Sequence, residues 1–576
     1  MNKKDIVKAL ETIAVYLEIQ GENSFKVSAY RRAAQALESD ERSLAAIGDV
    51  SRLKGIGSGT AAVIDELKET GRSSLLEQLT EAIPNGLLPL LHLPGLGGKK
   101  IARLYGELGV TDLTSLEKVC REGQVRGLSG FGKKSEEKLL AAIEEVGKRP
   151  DRLPVAYMLR AAEEIERQLR EIPSVQRFSR AGSLRRLSET VKDLDFVVAT
   201  EDPQACRAAI LALAGISEIV NQGNTKLTVA FAFDYEVQAD FRLVEPDAYA
   251  TALHHFTGSK EHNVKMRQLA KARGEKISEY GIETIETGEV STFTDEAAFF
   301  AHFGLKEIPP ELRVGGEEIN KFETDVRLIS ESDVRADLHM HTTWSDGAYT
   351  IEEMAEAARQ LGYEYIAITD HSKSLVVAKG LDEEKLARQR EEICRLNEKY
   401  DDFTLFSGTE MDILPNGRLD FEDEVLAKLD FVIASIHSSF SQSRKQIMER
   451  LKTAIYNPHV DLVAHPTGRL IGRRKGYDVD VAQLIEWARE TDTALELNAN
   501  PNRFDLAANW LRLAQEAGVR LSVNTDAHYK ENLTYMKVGI SFAKKGWIRP
   551  ETVINTYTKQ QFLAFLNRNR GEPRSS

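Results

Sequence analysis

Cysteine is scarce in this chain of 576 residues: Cys120, Cys206 and Cys394 are the only three, and no Cys-x-x-Cys spacing occurs. Three thiols cannot build a disulfide framework, so a reducing cytoplasm is the expected compartment. Long apolar runs are missing as well, which argues against a membrane-spanning helix and a membrane partner. The opening MNKKDIVKALETIAVYL mixes Asp5, Lys8 and Glu11 into its apolar residues. It reads as an amphipathic helix and not as a signal peptide. There is also no excess of positive charge. The 76 Lys and Arg face 89 Asp and Glu, for a net −13, a balance that on its face argues against a nucleic-acid partner.

That charge is unevenly spread. Residues 1–150 hold 22 basic and 21 acidic side chains, so the acidity lies in the remainder, and a local phosphate-binding surface stays open. Histidine is uneven too, with seven of twelve after residue 336. Clustered histidine in an acidic region is what a multi-metal site requires. With 42% hydrophobic and 29% charged residues the composition is globular, and the length predicts about three to five units.

Residues 1–150 read as almost entirely helical. Three points of punctuation resemble one another: Leu53-Lys-Gly55-Ile-Gly57, Leu93-Pro-Gly95-Leu-Gly97-Gly-Lys99-Lys100, and Leu128-Ser-Gly130-Phe-Gly132-Lys133-Lys134. In each, glycines permit a tight hairpin, and the free N–H groups of the next helix are presented to a phosphate. This is the helix-hairpin-helix arrangement, a sequence-independent grip on the DNA backbone. One such turn also occurs in ordinary helix connections; three in one segment favour DNA. Lys26 and Tyr30 are four apart and add a basic and an aromatic group on one helical surface.

After residue 150 strands and helices alternate. Gly182-Ser183-Leu-Arg185-Arg186 is followed by Lys192-Asp193-Leu194-Asp195-Phe196-Val197-Val198. The two carboxylates, two apart in an apolar strand, project from one face and repel unless cations bridge them. Mg²⁺ (or Mn²⁺) suits such oxygen ligands. Asp240 supplies a third carboxylate on a later strand, Gly182-Ser183 permits close approach of a triphosphate, and Arg186 can neutralise it.

On these motifs residues 1–315 resemble a family X DNA polymerase. GSLRR and DLD match its nucleotidyltransferase palm, and His255-Phe256-Thr257-Gly258-Ser259 with Asn263, Met266 and Arg267 match its nucleotide-selecting thumb. The resemblance implies that Asp193 and Asp195 hold both metals, while Asp240 binds the catalytic one and helps activate the primer 3′-hydroxyl. It implies that Ser183 and Arg186 hold the triphosphate, that Phe256, Gly258 and Asn263 contact the incoming nucleotide, and that Lys26, Tyr30, Gly55, Gly57, Gly95, Gly97 and Arg267 face DNA. Lys192 stands where some relatives have glycine, and His255 replaces the common tyrosine of the sugar-discriminating element. Val63 stands where some relatives carry a Schiff-base lysine.

Beyond a polar stretch ending near Arg335, a short apolar strand ends in a metal-competent cluster seven times over. The seven are VRADLHMH, YIAITDHS, TLFSGTEMDI, FVIASIHSS, DLVAHPTG, ALELNAN and RLSVNTDAH. Strand–helix alternation with functional groups at strand ends is the logic of a barrel with its site on one face. His339, His341, Asp346, His371, Glu410, His437, His465, Asp526 and His528 then converge as nine candidate metal ligands. Arg469, Arg473, Arg474 and Lys475 offer a basic loop near them.

These elements resemble a PHP (polymerase and histidinol phosphatase) domain. The resemblance implies up to three Zn²⁺ or Mn²⁺ ions: one on His339, His341, Glu410 and Asp526, one on Glu410, His437 and His465, and one on Asp346, His371 and His528. It implies hydrolysis of phosphate esters. The expected architecture is multidomain, α plus α/β. Residues 1–85 form a helical gap- and 5′-phosphate-binding domain, 86–150 a second helix-hairpin-helix domain, 151–245 the palm and 246–315 the thumb. Residues 316–335 form a linker and 336–576 a (β/α)7 PHP barrel. The expected protein is a monomeric repair polymerase that uses dNTPs on gapped or nicked DNA, with a 3′–5′ exonuclease tail that also acts on abasic sites. A structural tail, or a small-molecule phosphatase, is the alternative.

Overall fold

The computed structural model describes residues 3–40, 44–93, 95–146 and 150–569. The chain forms two compact units, one built from residues 1–149 and one from essentially all of 150–576.

The first unit is helical. Its core is the inward stripe of Lys3–Ile19 (Leu10, Ile13 and Leu17), packed with Ile64, Leu104 and Leu116 from later helices. The three Gly-x-Gly motifs share one local geometry. Gly55, Gly95 and Gly130 take left-handed φ values of 109°, 81° and 87°, which a side chain would disfavour. Gly57 and Gly97 then sit at the N-caps of Ser58–Thr70 and Gly98–Leu108, and Gly132 directly precedes Lys133–Val146. Pro94 of the second motif lies outside the described residues.

The second unit begins with a five-stranded mixed sheet: β1 (Arg177–Arg180), β2 (Leu194–Ala199), β3 (Ile216–Gln222), β4 (Lys226–Ala232) and β5 (Glu236–Val244). Its order is β1-β2-β5-β4-β3, with β2 and β5 parallel and the other pairs antiparallel. The amphipathic helix Val155–Leu169 buries Met158, Ala162, Ile165 and Leu169 in the same core as Phe196 and Phe241 of the sheet. Helices Tyr249–Thr257 and Lys260–Ala272 follow, and a three-stranded sheet precedes Glu296–His302. Residues 316–335 are no free tether: Ile319, Phe322 and Ile329 are buried, and Ile329 N–H donates to Ile548 at 2.9 Å.

Seven parallel strands complete the unit: β6 (Ala336–Asp337), β7 (Tyr365–Ile368), β8 (Thr404–Asp412), β9 (Phe431–Ser435), β10 (Leu462–Val463), β11 (Ala494–Asn498) and β12 (Leu521–Asn524). They neighbour one another in chain order. A parallel bridge from Met340 to Ala527 brings the first strand's extension against the last, nearly closing a barrel. The strand residues are buried on both faces, as continuous apolar runs in a helix-wrapped parallel sheet require.

Candidate active sites

In the mixed sheet, Asp195 and Asp240 are register partners across parallel β2 and β5, and Asp193 stands one residue before β2. Burial, together with the charges of Asp240 and Asp193, pushes the Asp195 carboxyl up to about 6. Asp240 accepts from Thr228 Oγ1 at 2.6 Å and pairs with Lys226 Nζ at 2.8 Å. Gly182, at φ 57°, has no room for a Cβ, which would lie 1.9 Å from Asp195 Oδ2. The glycine expected to admit a triphosphate therefore also makes room for the carboxylate. Like charges held together in a half-buried site fit a divalent cation.

The residues read as nucleotide contacts lie around this centre. Ser183 is on the short helix Gly182–Arg185. The Arg186 guanidinium donates to the Thr257 carbonyl, and a Cβ on Gly258 would sit 3.2 Å from it. Arg242 stacks on Phe256 with its guanidinium carbon 4.6 Å from the ring centre. Asn263 Nδ2 donates to the His255 carbonyl at 2.8 Å, while its Oδ1 is buried without a hydrogen bond. Arg267 is exposed on the same helix. Arg185 points elsewhere, into a buried ion pair with Glu296 that also includes Arg313.

At the barrel, eight of the nine candidate ligands lie on or just past the C-terminal ends of strands, Asp346 comes from the loop after His341, and together they enclose one basin. Glu410 is at its centre: His371 Nδ1, His465 Nε2, His437 Nε2, His339 Nε2 and His341 Nε2 lie 2.8, 2.9, 3.2, 3.5 and 3.6 Å from its oxygens. Asp526 Oδ1 is 3.2 Å from His341 Nε2, and Asp346 Oδ1 is 3.3 Å from His528 Nε2. The compact groups are His341 with Asp346, His371 and His528; His339 with His341 and Asp526; and His371 with Glu410 and His437. They differ from the expected partition in sharing His341 and His371 between neighbouring groups. His465 and Asp526 adopt positive φ, 28° and 54°, a strained backbone of the kind retained where side-chain placement demands it.

The electrostatics show mutual dependence. Burial disfavours charge throughout, yet the imidazoles of His437, His371 and His339 hold Glu410 well below the carboxylate range. Glu410 and Asp412 push His437 up to about 10, and Asp346 and Asp526 push His528 up to about 9. His341, buried between His528 and His371, falls to about 4. Even so, His341 Nδ1, His465 Nδ1 and Glu410 Oε2 are buried without a hydrogen bond. Most buried polar groups in proteins are hydrogen-bonded, and unpaired atoms that converge on one histidine- and carboxylate-lined basin fit metal ions.

Three residues of the basin were not among the expected ligands. Glu496 accepts from His339 Nδ1 at 2.8 Å, Asp412 lies 3.3 Å from His437 Nδ1, and Asn498 Nδ2 donates to Asp526 at 3.1 Å. The sequence carries a signal for them: Glu410 and Asp412, like Glu496 and Asn498, are two apart in a strand and share a face.

Comparison with known proteins fits this layout. A helix-hairpin-helix domain matches residues 1–73, a DNA polymerase beta thumb residues 252–314, and a PHP domain residues 337–500. The DNA polymerase/3′-5′ exonuclease PolX of Bacillus subtilis (strain 168) is 56% identical over 569 residues, spanning 99% of this chain and 100% of that protein. The chain belongs to the bacterial family X DNA polymerases with a C-terminal PHP domain. The PHP portion alone is also similar to smaller proteins. A probable phosphatase of Thermoanaerobacter sp. (strain X514) is 29% identical over 38% of this chain and 89% of its own length. One of Caldicellulosiruptor bescii is 26% identical over 40% and 95%.

Membership of a DNA polymerase family with helix-hairpin-helix and thumb modules means that this protein binds DNA. The residues read as DNA contacts are differently disposed. Gly55, Gly57, Gly95 and Gly97 are exposed at their hairpins, as is Lys26, which pairs with Glu22 at 2.9 Å. Tyr30 is not on that surface: it is 7% exposed and belongs to the helical core, whereas Phe25, one residue before Lys26, is 78% exposed. In the basic loop of the PHP portion, Arg473 and Lys475 are exposed, but Arg474 stacks on Phe440 and Arg469 is engaged by Glu189. Among the described residues no helix is long and apolar enough to cross a membrane.

Proposed function

We propose that this protein extends DNA 3′ ends in short gaps at the mixed sheet, the palm, and trims 3′ ends by hydrolysis in the PHP basin. The observation that carries this reading is the presence of two separate metal-competent centres in one unit: Asp193, Asp195 and Asp240 beside the thumb, and the nine-residue basin at the barrel. At the first, Ser183 and Arg186 bind the triphosphate of a dNTP, while Phe256, Gly258 and Asn263 seat its sugar and base. Asp240, oriented by Thr228 and Lys226, receives the proton of the primer hydroxyl. Asp193, Asp195 and Asp240 would hold Mg²⁺ or Mn²⁺, which would supply positive charge against the charge developing on the phosphate.

In the basin, His339, His341, Asp346, His371, Glu410, His437, His465, Asp526 and His528 would hold up to three Zn²⁺ or Mn²⁺ ions, which would supply Lewis-acid chemistry for hydrolysis of a phosphate ester. Glu496 fixes the tautomer and orientation of His339. The helix-hairpin-helix glycines receive backbone phosphates, Lys26 the 5′-phosphate across a gap, and Arg267 the DNA beside the thumb. Domain limits at 85, 150, 245, 315 and 335, a monomeric state, a cytoplasmic site of action in repair, and incision at abasic sites belong to the same reading.

The probable phosphatases similar to the barrel favour a second reading, in which the tail hydrolyses a small phosphomonoester. Labelled gapped DNA with dNTPs, a 3′-labelled single strand and a small phosphomonoester, assayed side by side, separate the two. Extension and 3′ trimming support the first reading; phosphomonoester turnover without trimming supports the second.

A further inference from the structure

The segment that carries Ser183 and Arg186 is held by the barrel, and nothing in its own sequence explains its shape. After Gly182–Arg185 the chain turns through Leu187, which has φ 48°. A non-glycine residue in the left-handed region is disfavoured and persists only where its surroundings over-determine it. The residues on either side of it are each fixed from the barrel. Arg186 offers its carbonyl to Lys545 Nζ at 2.9 Å. Lys545 ends the helix Tyr535–Lys545 and is itself half-buried, and that burial lowers the pKa of its ammonium. Glu189 is clasped by Arg469, with Nη2 2.8 Å from Oε1 and Nη1 3.3 Å from Oε2, the forked geometry that gives an arginine–carboxylate pair its directionality.

The brace continues along the backbone. Glu189 accepts from Val155 N–H at 2.9 Å, and Pro154 pairs with Thr190. Gly472, in the loop that follows Arg469, lies so close to Pro154 that a Cβ would stand 2.7 Å from its Cγ. Three residues separate Glu189 from Asp193. The barrel therefore fixes the segment between the residues read as triphosphate contacts and the first carboxylate of the nucleotidyl-transfer centre. Arg469 also donates to the carbonyls of Arg503 and Phe504, and Arg503 Nε lies 3.7 Å from Asp526. Arg469 and Arg503 together thus link the palm to the rim of the PHP basin.

We propose that Lys545 and Arg469 are positioning residues for nucleotide addition: through the Arg186 carbonyl and Glu189 they hold residues 183–189 in the form that accepts a triphosphate. This rests on the function proposed above for Ser183 and Arg186. The PHP barrel would then be part of the polymerase even while it catalyses nothing there, and its removal would weaken dNTP binding.

The test uses the full chain with Glu189→Gln, Lys545→Met and both together. Glu189→Gln removes the ion pair from the palm side and leaves the Arg469 contacts with the basin loop in place. A partly exposed pair of this kind corresponds to about a two- to fivefold rise in KM for dNTP on gapped DNA for each variant, with kcat and 3′ trimming within about twofold of the unmodified protein. Glu189→Asp, which keeps the carboxylate, recovers much of the loss. Without nucleotide, hydrogen exchange over residues 182–191 quickens in the variants. Unchanged KM and exchange in the double variant of an active protein would overturn the clamp, as would a parallel fall in kcat and trimming. Failure of the unmodified protein to add nucleotides would instead defeat the function on which the clamp rests.

Discussion

Asp195 and Asp240 face each other on adjacent parallel strands, with Asp193 close enough to help push the Asp195 carboxyl up to about 6. An arrangement that costs electrostatic energy when empty is useful only if cations are to fill it. The PHP basin holds a separate set of ligands on other strands.

The two chemistries should therefore separate. Asp193→Ala with Asp195→Ala is expected to lower nucleotide addition by about a thousandfold or more, leaving removal of 3′ nucleotides intact. Primer extension and release of a labelled 3′ nucleotide are measured on the same preparation. Loss of both activities in a folded double variant would mean a single shared centre.

Glu496 yields a sharper expectation than the ligands themselves, because it orients the ring of His339 without being one of the nine. Its carboxylate accepts from His339 Nδ1 at 2.8 Å and also from the backbone N–H of His465 at 2.8 Å. Glu496→Gln should weaken metal retention or 3′ trimming by about 10–100-fold, while gap filling stays unchanged. Metal content after dialysis against graded chelator reads the first effect directly. Full metal occupancy with full trimming would remove Glu496 from the machinery.

Much of this was legible in the sequence. Each barrel strand is an apolar run that must stop where it meets the mouth of the barrel, so HMH, TDH, IHSS and TDAH mark four of the seven strand ends. Glu496 and Asp412 were harder to see, because they sit inside runs whose apolar neighbours dominate the pattern. Tyr30 was misplaced for a different reason. Its spacing from Lys26 places both on one side of a helix, but Val27, Tyr30, Ala34 and Leu37 form the buried stripe, and that stripe decides which way the ring turns. The clamp of Arg469 on Glu189 joins residues 280 apart, and no local pattern reports such a contact.

The thumb carries a testable buried charge. Glu296 lies between Arg313 and Arg185. Although burial raises its pKa, the two guanidinium groups lower it to about 2. Its folded value is below the unfolded 4.5, so the interaction stabilises the fold above about pH 4.5 and is lost as pH falls through about 2. Removing the anion strands two arginines, one of them fully buried. Glu296→Gln should cost about 3 kcal/mol, roughly a hundredfold in local opening. Hydrogen exchange over residues 249–313, converted to opening free energies, should show that gap at pH 7 and a convergence of the two proteins toward pH 2. A gap that does not depend on pH would assign the loss to packing.

The last expectation concerns 5′-deoxyribose phosphate. Its removal by Schiff base requires an amine that can lose its proton and attack the sugar aldehyde. On the helix after the first hairpin, Ser58–Thr70, the position read as equivalent is Val63, which has no nucleophile and is buried in the helical core. Nearby, Lys68 donates to the Gly48 carbonyl at 3.2 Å and lies 3.8 Å from Asp65, while Lys54 is exposed before the hairpin. Neither occupies the matching place. Borohydride trapping on DNA bearing a 5′-deoxyribose phosphate, with chelator present to silence the metal centres, should leave residues 1–85 unlabelled. Incision of abasic DNA should return with metal and disappear with His339→Ala and His341→Ala. An efficient covalent adduct within residues 1–85 would overturn this and point to Lys54 or Lys68 as a displaced nucleophile.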